Sequence, residues 1–265
     1  MTEGLRIEVA DHVARLTVDR PEVRNALSAD IVQAMADYLE QIEHDPEVRV
    51  VLITGGGDHF MAGGDVKNFS EIIDAPTEKV QANFKQRSVA AARLWLTLDR
   101  IPQPVVCMVR GSAAGAALSF VAGADLTICA DNAVFVLAHV GIGLVADAAT
   151  SYHLPRAIGL RKAKEMALLG EKMDAQQALA AGLVNRVVPL AELEAETGKL
   201  VRKLARGPAI SLAQSKRIMN ASLANDMAAQ IDLETEALGI CGGSEDLREG
   251  VRAFVEKRRP DFKGK

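Results

Sequence analysis

The sequence holds only three cysteines in 265 residues, Cys107, Cys129 and Cys241. They lie far apart, are odd in number and form no CxxC pair, which excludes a disulfide framework and a redox motif and suits a reducing cytoplasm. They read as buried structural thiols. An excess of positive charge is also missing: 31 Lys and Arg stand against 35 Asp and Glu, a formal net charge of −4 at pH 7. That balance, without a basic aromatic stripe, argues against a nucleic-acid binder and against attraction to anionic membranes. No run of about 18 apolar residues occurs, so no transmembrane helix is expected. The opening MTEGLRIEVADHVARLTV lacks the basic-then-apolar pattern of a signal peptide. Neither HExxH nor a zinc-ligand spacing is found among the five histidines, so no metal is expected. The GGG at 55–57 lacks GxGxxG spacing, no GxxxxGK phosphate loop occurs, and GSAAG does not match the GxSxG serine elbow.

What is present is an ordinary globular balance, 49% hydrophobic and 25% charged residues, on a length that suits one large domain or a domain with a helical appendage. LRIEV and HVARLTV alternate like a β-hairpin. The polar turn RPEVRNALS ends in Ser28, a good N-cap, and Ile31, Val32, Met35, Leu39 and Ile42 follow at helical spacing. RVVLITG (49–55) and PVVCMV (104–109) read as buried strands, 78–100 as a long helix stopped by IPQP, ADLTICA and AVFVLA as short strands, and VNRVV (184–188) as the last one. A strand-or-two-then-helix unit thus recurs about four times, which predicts an α/β architecture of stacked units. Past Pro189 the chain is nearly all amphipathic helix, so a boundary is expected near 190, with a core over 1–190 and a helical region over 191–265.

Two corners share a form: a strand, then small residues, then a helix start. HFMAGGD supplies Ala62-Gly63-Gly64 and RGSAAGAA supplies Ala114-Gly115-Ala116. Side chains this small let a substrate approach the backbone, and free N–H groups at a helix start favour negative charge. They equally suit tight helix–strand packing. In NAVFVLAHVGIGLVADAATSYHLP (132–155) one side chain, Asp147, carries a formal charge among apolar and small residues. Burying a bare carboxylate there is costly, which fits an acid/base in an apolar pocket; as an N-cap for a following helix it would be structural. Ser151 and His153 complete a nominal Ser/His/Asp set without any spacing that supports a triad.

Together these stretches resemble the enoyl-CoA hydratase/isomerase (crotonase) superfamily. RPEVRNALS is similar to its early RPxxxNAL segment, HFMAGGDVK to its FxAGxD loop, PVVCMVRGSAAGAALSFVAGADLTICA to its second corner, FVLAHVGIGLVADAATSYHLPRAIG to its active-site segment, and EKRRPDFKGK to its ending. The resemblance implies a spiral of ββα units with a C-terminal helical trimerisation region, a homotrimer or dimer of trimers, an acyl-CoA thioester substrate, and coenzyme A only as part of that substrate. It implies an oxyanion hole formed by the backbone N–H groups of Ala62 and Ala116, and a CoA site formed by Arg24, Ala26, Ala62, Gly63, Asp65, Lys67 and Gly115. The two glutamates of hydratases fall at Ser119 and His139, so the pattern resembles the family's ring-epoxide and enoyl-CoA isomerases, with Asp147 as single acid/base. Alternatives are a hydratase, a CoA-thioester hydrolase or dehalogenase with Asp147 as nucleophile, and a non-catalytic RNA-binding member. His139 is either a neutral hydrogen-bonding group lining the pocket or a packed residue, and were it within reach of Asp147 the pair could share protons and restore hydratase-like activity; Ser119 is a bystander. Residues 68–94 correspond to the acyl-pocket region, with Phe69, Ile72, Ile73, Phe84 and the nearby Trp95 as apolar lining.

Overall fold

The alternating stretches at the start pair as expected. In the computed structural model, which describes residues 2–265, β1 (Leu5–Ala10) and β2 (Val13–Val18) form an antiparallel hairpin whose turn residues Asp11 and His12 both have positive φ, the geometry that matches strand twist. β3 (Val50–Gly55), β4 (Val105–Val109), β5 (Ser112–Ala114), β6 (Leu126–Ala130), β7 (Val134–Val136), β8 (Lys172–Asp174) and β9 (Arg186–Val188) follow. They build a six-stranded sheet ordered β1-β2-β3-β4-β6-β9, parallel from β2 onward, and a three-stranded sheet ordered β5-β7-β8. β3 and β4 are buried at every residue, as apolar strands inside a parallel sheet must be.

The side-chain period of two divides those strands between two cores. Val51, Ile53, Cys107, Val109 and Cys129 face a large core that includes Ile31, Met35 and Leu39. These three lie on α1 (Ala29–Ile42), whose start is capped by Ser28 Oγ accepting from Ile31 N at 3.3 Å. α2 (Thr77–Arg100) buries only Leu94, Trp95, Thr97 and Leu98, near its C-terminal end, and stops at Ile101 because Pro102 follows. α3 (Ala117–Gly123), α4 (Thr150–Ile158), α5 (Leu160–Leu169) and α6 (Ala175–Ala181) complete this side. Burial pushes the Cys107 thiol up and that of Cys129 to about 12, which leaves both inert; Cys241, read as buried, is partly exposed.

Val50, Leu52, Val106, Met108 and Ile128 face the other way, onto Leu193, Val201 and Ala205 of α7 (Leu193–Ala205). The packed core therefore runs through α7, beyond the change of composition at 190. α8 (Ala209–Ala221), α9 (Met227–Gly242) and α10 (Glu245–Glu256) follow. Lys216 anchors α8 to the core: its buried Nζ stands 2.9 Å from Asp125 Oδ2 and donates to Gln103 O at 3.2 Å. The tail folds back on its own chain, with the amides of Lys263 and Gly264 donating to the buried carboxylate of Asp246.

One polar residue fixes the loop that leads to the first glycine-rich corner. Asn25 is fully buried, at φ 58°. Its Nδ2 reaches Gly56 O and His59 O at 2.8 Å and Phe60 O at 3.1 Å, while Oδ1 accepts from Arg20 N at 2.9 Å. Truncation orphans these backbone groups in a dry interior, at a cost of about 1–3 kcal/mol for each left unsatisfied. Asn25→Ala is expected to lower unfolding free energy by roughly 3 kcal/mol in urea titration; a midpoint equal to wild type would show that the loop holds itself.

Candidate active site

The segment 61–65 is stitched on both edges. On one side Met61 N donates to Ser112 O (3.1 Å) and Ala114 N to Met61 O (3.0 Å). On the other Leu27 N donates to Gly63 O (2.8 Å) and Asp65 N to Leu27 O (3.1 Å). These bonds press the two corners together. Gly63, at φ 91°, has no room for a side chain: a Cβ would lie 2.7 Å from Ala114 O, 3.2 Å from Ala116 N and 3.3 Å from Gly115 Cα. Gly115 also has positive φ, 56°. The two glycines are buried against each other, whereas Gly64 is exposed and Ala116 partly so.

The hydrogen-bond register corrects one expected donor. The N–H of Ala62 donates to Arg24 O at 2.9 Å and is not available to a ligand. Leu27 takes its two bonds from the residues flanking Gly64, as a parallel bridge requires, so the N–H of Gly64 itself turns away from Leu27. Among the described residues neither that N–H nor the N–H of Ala116 has an acceptor. Gly64 was missed in the sequence because which amide of a loop stays free is decided by the partner strand.

Asp147 follows a 3-10 turn at Ala138–Ile142 that ends at Gly143 in the left-handed region. Its side chain does not cap α4: the N-cap position is Ala149, and only the Asp147 carbonyl accepts from Thr150 N, at 2.9 Å. Instead Asp147 lines a cavity of about 1270 Å³ together with Ala116, and its Oδ1 stands 3.2 Å from His139 Nε2. His139 is 12% exposed, but Asp147 is 54% exposed, so the burial expected for the carboxyl is not met in the single chain. Ala148 and Ala149, at φ 55° and 60°, hold the turn that presents it; an alanine there costs roughly 1–2 kcal/mol. Ser119 is buried and bonds Thr150 Oγ1, tying α3 to α4. Ser151 is exposed, and no bond joins it, His153 and Asp147 among the described residues. Burial holds the His153 imidazole below the usual histidine range, against the pull of Asp99. No triad forms.

Ser28 at the cap of α1, Val32 and Gln33 on it, then Phe69, then Phe84, Trp95 and Leu96 of α2 also line the cavity. Phe69 and Phe84 pack at 5.0 Å between ring centroids, and Trp95 packs on Phe120 at 4.7 Å. Of the expected apolar lining, Ile72 and Ile73 lie outside it, Ile73 being 59% exposed. Of the residues expected at coenzyme A, Asp65 borders the cavity, but its carboxylate pairs with Arg20 Nη2 at 3.3 Å. Arg20 also donates to the carbonyl of buried Ala26 at 2.8 Å, so Ala26 and Asp65 brace the first corner. Arg24 and Lys67 are exposed cations near that corner.

Over residues 8–265 the sequence matches the enoyl-CoA hydratase/isomerase family. It is 35% identical over 265 residues to the 1,2-epoxyphenylacetyl-CoA isomerase of Escherichia coli (strain K12), covering 100% of each chain. It is 34% identical over 257 residues to the trans-2-decenoyl-acyl-carrier-protein isomerase of Streptococcus mutans serotype c, covering 97% of each. The crystal structure of an enoyl-CoA hydratase from Polaromonas sp. JS666 superposes with a TM-score of 0.90 at 31% identity, covering 97% of this chain and 99% of that one. With the repeated strand-and-helix units of the crotonase fold and a match that runs almost from end to end, the chain belongs to the enoyl-CoA hydratase/isomerase family.

Proposed function

We propose that this protein is an acyl-CoA isomerase that forms a thioester enolate, with Asp147 as its single acid/base. The observation that carries the reading is that Asp147 shares the cavity wall with Ala116, while the positions matching the hydratase glutamates hold Ser119, committed to Thr150, and His139. The thioester oxygen accepts from the N–H groups of Gly64 and Ala116, each such donor contributing about 3 kcal/mol as charge develops. Asp147 removes a proton at C2 and returns it at C4, moving the double bond into conjugation; one carboxylate serves both steps. Arg24 and Lys67 offer charge to the coenzyme A phosphates. Phe69, Phe84, Trp95 and Tyr152 on the wall favour a ring-bearing acyl group, in line with the name of the E. coli relative. The 3.2 Å contact of His139 with Asp147 favours one rival, hydration, in which the pair would handle a water; oxygen-18 from solvent appearing in the product would reveal it.

The same reading expects a cytoplasmic homotrimer or dimer of trimers. Exposed apolar side chains such as Leu238 (75%), Phe254 (85%) and Val255 (74%) are then covered by neighbouring copies.

Asp147→Asn is expected to lower turnover of β,γ-unsaturated acyl-CoA roughly 10³-fold while the dissociation constant for coenzyme A esters stays near wild type; unreduced turnover would remove Asp147 from the chemistry. In Gly63→Ala the added Cβ forces the corners apart, so turnover should fall about 10²-fold with circular dichroism unchanged. Full activity in that variant would rule out an oxyanion hole built by this contact.

A further inference from the structure

His139 stands at the site with one ring nitrogen used and the other empty. Nε2 is 3.2 Å from Asp147 Oδ1. Nδ1 is shut off from water and has no hydrogen-bond partner. The ring lies over the second corner, where a Cβ on Gly115 would meet its Cε1 and Nε2 at 3.8 Å.

The protonation states of the ring differ in what they leave unsatisfied. An imidazolium carries an N–H on both nitrogens, and the one on Nδ1 would be buried without an acceptor, a loss of about 1–3 kcal/mol. The Nδ1–H tautomer has the same orphan donor and also turns the Nε2 lone pair toward a carboxylate oxygen. The neutral Nε2–H tautomer gives Asp147 a donor and leaves only a lone pair dry on Nδ1. Asp147 needs that donor. Its carboxyl is half-exposed on an irregular segment, and among the described residues His139 is its one hydrogen-bond partner.

We propose that His139 is a positioning residue, a neutral imidazole protonated on Nε2 that grips Oδ1 of Asp147 and leaves Oδ2 free to take the proton from the acyl-CoA. The proposal rests on the reading of Asp147 as the base. It assigns the histidine no proton of its own to give, since its single N–H is committed to the carboxylate, and so it opposes the hydration route through the pair.

Nitrogen-15 spectra of histidine-labelled protein without ligand test the protonation state directly. The His139 resonances, assigned by their loss in His139→Gln, should show an unprotonated Nδ1 and a protonated Nε2 at neutral pH, and Asp147→Asn should move the Nε2 signal. An imidazolium pattern or a protonated Nδ1 would overturn the proposal. Kinetics with β,γ-hexenoyl-CoA test the positioning. The amide of His139→Asn ends near the Nδ1 position and cannot reach Asp147, so kcat should fall about 10²-fold with KM little changed. The amide of His139→Gln reaches the Nε2 position and should restore most of that loss. Equal losses in the two variants, or a loss confined to KM, would contradict it. Should the wild-type protein isomerise neither this thioester nor a ring-bearing β,γ-unsaturated acyl-CoA, the isomerase reading falls, while the nitrogen spectrum still decides the state of His139.

Discussion

The structure depends on one close contact, the meeting of two backbones at Gly63 and Gly115. A Cβ at Gly63 would fall 2.7 Å from a carbonyl oxygen and 3.2 Å from the Ala116 nitrogen. Only glycine fits, and its positive φ there costs nothing sterically. The amides just beyond the contact, those of Gly64 and Ala116, have no acceptor among the described residues. Glycine-rich loops lose much entropy on folding, and polar clamps offset that loss: Asn25 on the 56–60 loop, Arg20 between Ala26 and Asp65, and the double stitching of residues 61–65.

Chemistry then turns on what faces those amides. A free amide pair can stabilise an enolate but cannot move a proton, and Asp147 supplies a carboxylate to the cavity that Ala116 also lines. Two successive alanines in the left-handed region present it. Strain concentrated beside the proposed base is a common property of functional turns. Ser119 joins α3 to α4 through Thr150, and His139 contacts the Asp147 carboxylate itself.

Much of this was legible in the sequence for identifiable reasons. Continuous apolar runs marked β3 and β4, Ser28 marked the start of α1, and the small-residue corners marked themselves because few other roles call for so many glycines and alanines together. Features set by tertiary register were not legible. The choice between Ala62 and Gly64 depends on which edge of the segment meets Arg24 and Leu27. β8 is three residues, Lys172–Asp174, with a single buried side chain, too short to carry a pattern. α7 reads like the helices after it, but its Leu193, Val201 and Ala205 find the far face of the sheet. The exposure of Asp147 is likewise a property of the cavity, not of its apolar neighbours in sequence.

A crystal structure with an unreactive acyl-CoA analogue bound tests the central claim most directly. The account predicts the thioester oxygen about 3 Å from the nitrogens of both Gly64 and Ala116, with the free carboxylate oxygen of Asp147 facing C2. A thioester oxygen held elsewhere, or an Asp147 carboxyl directed away from the acyl group, would contradict it.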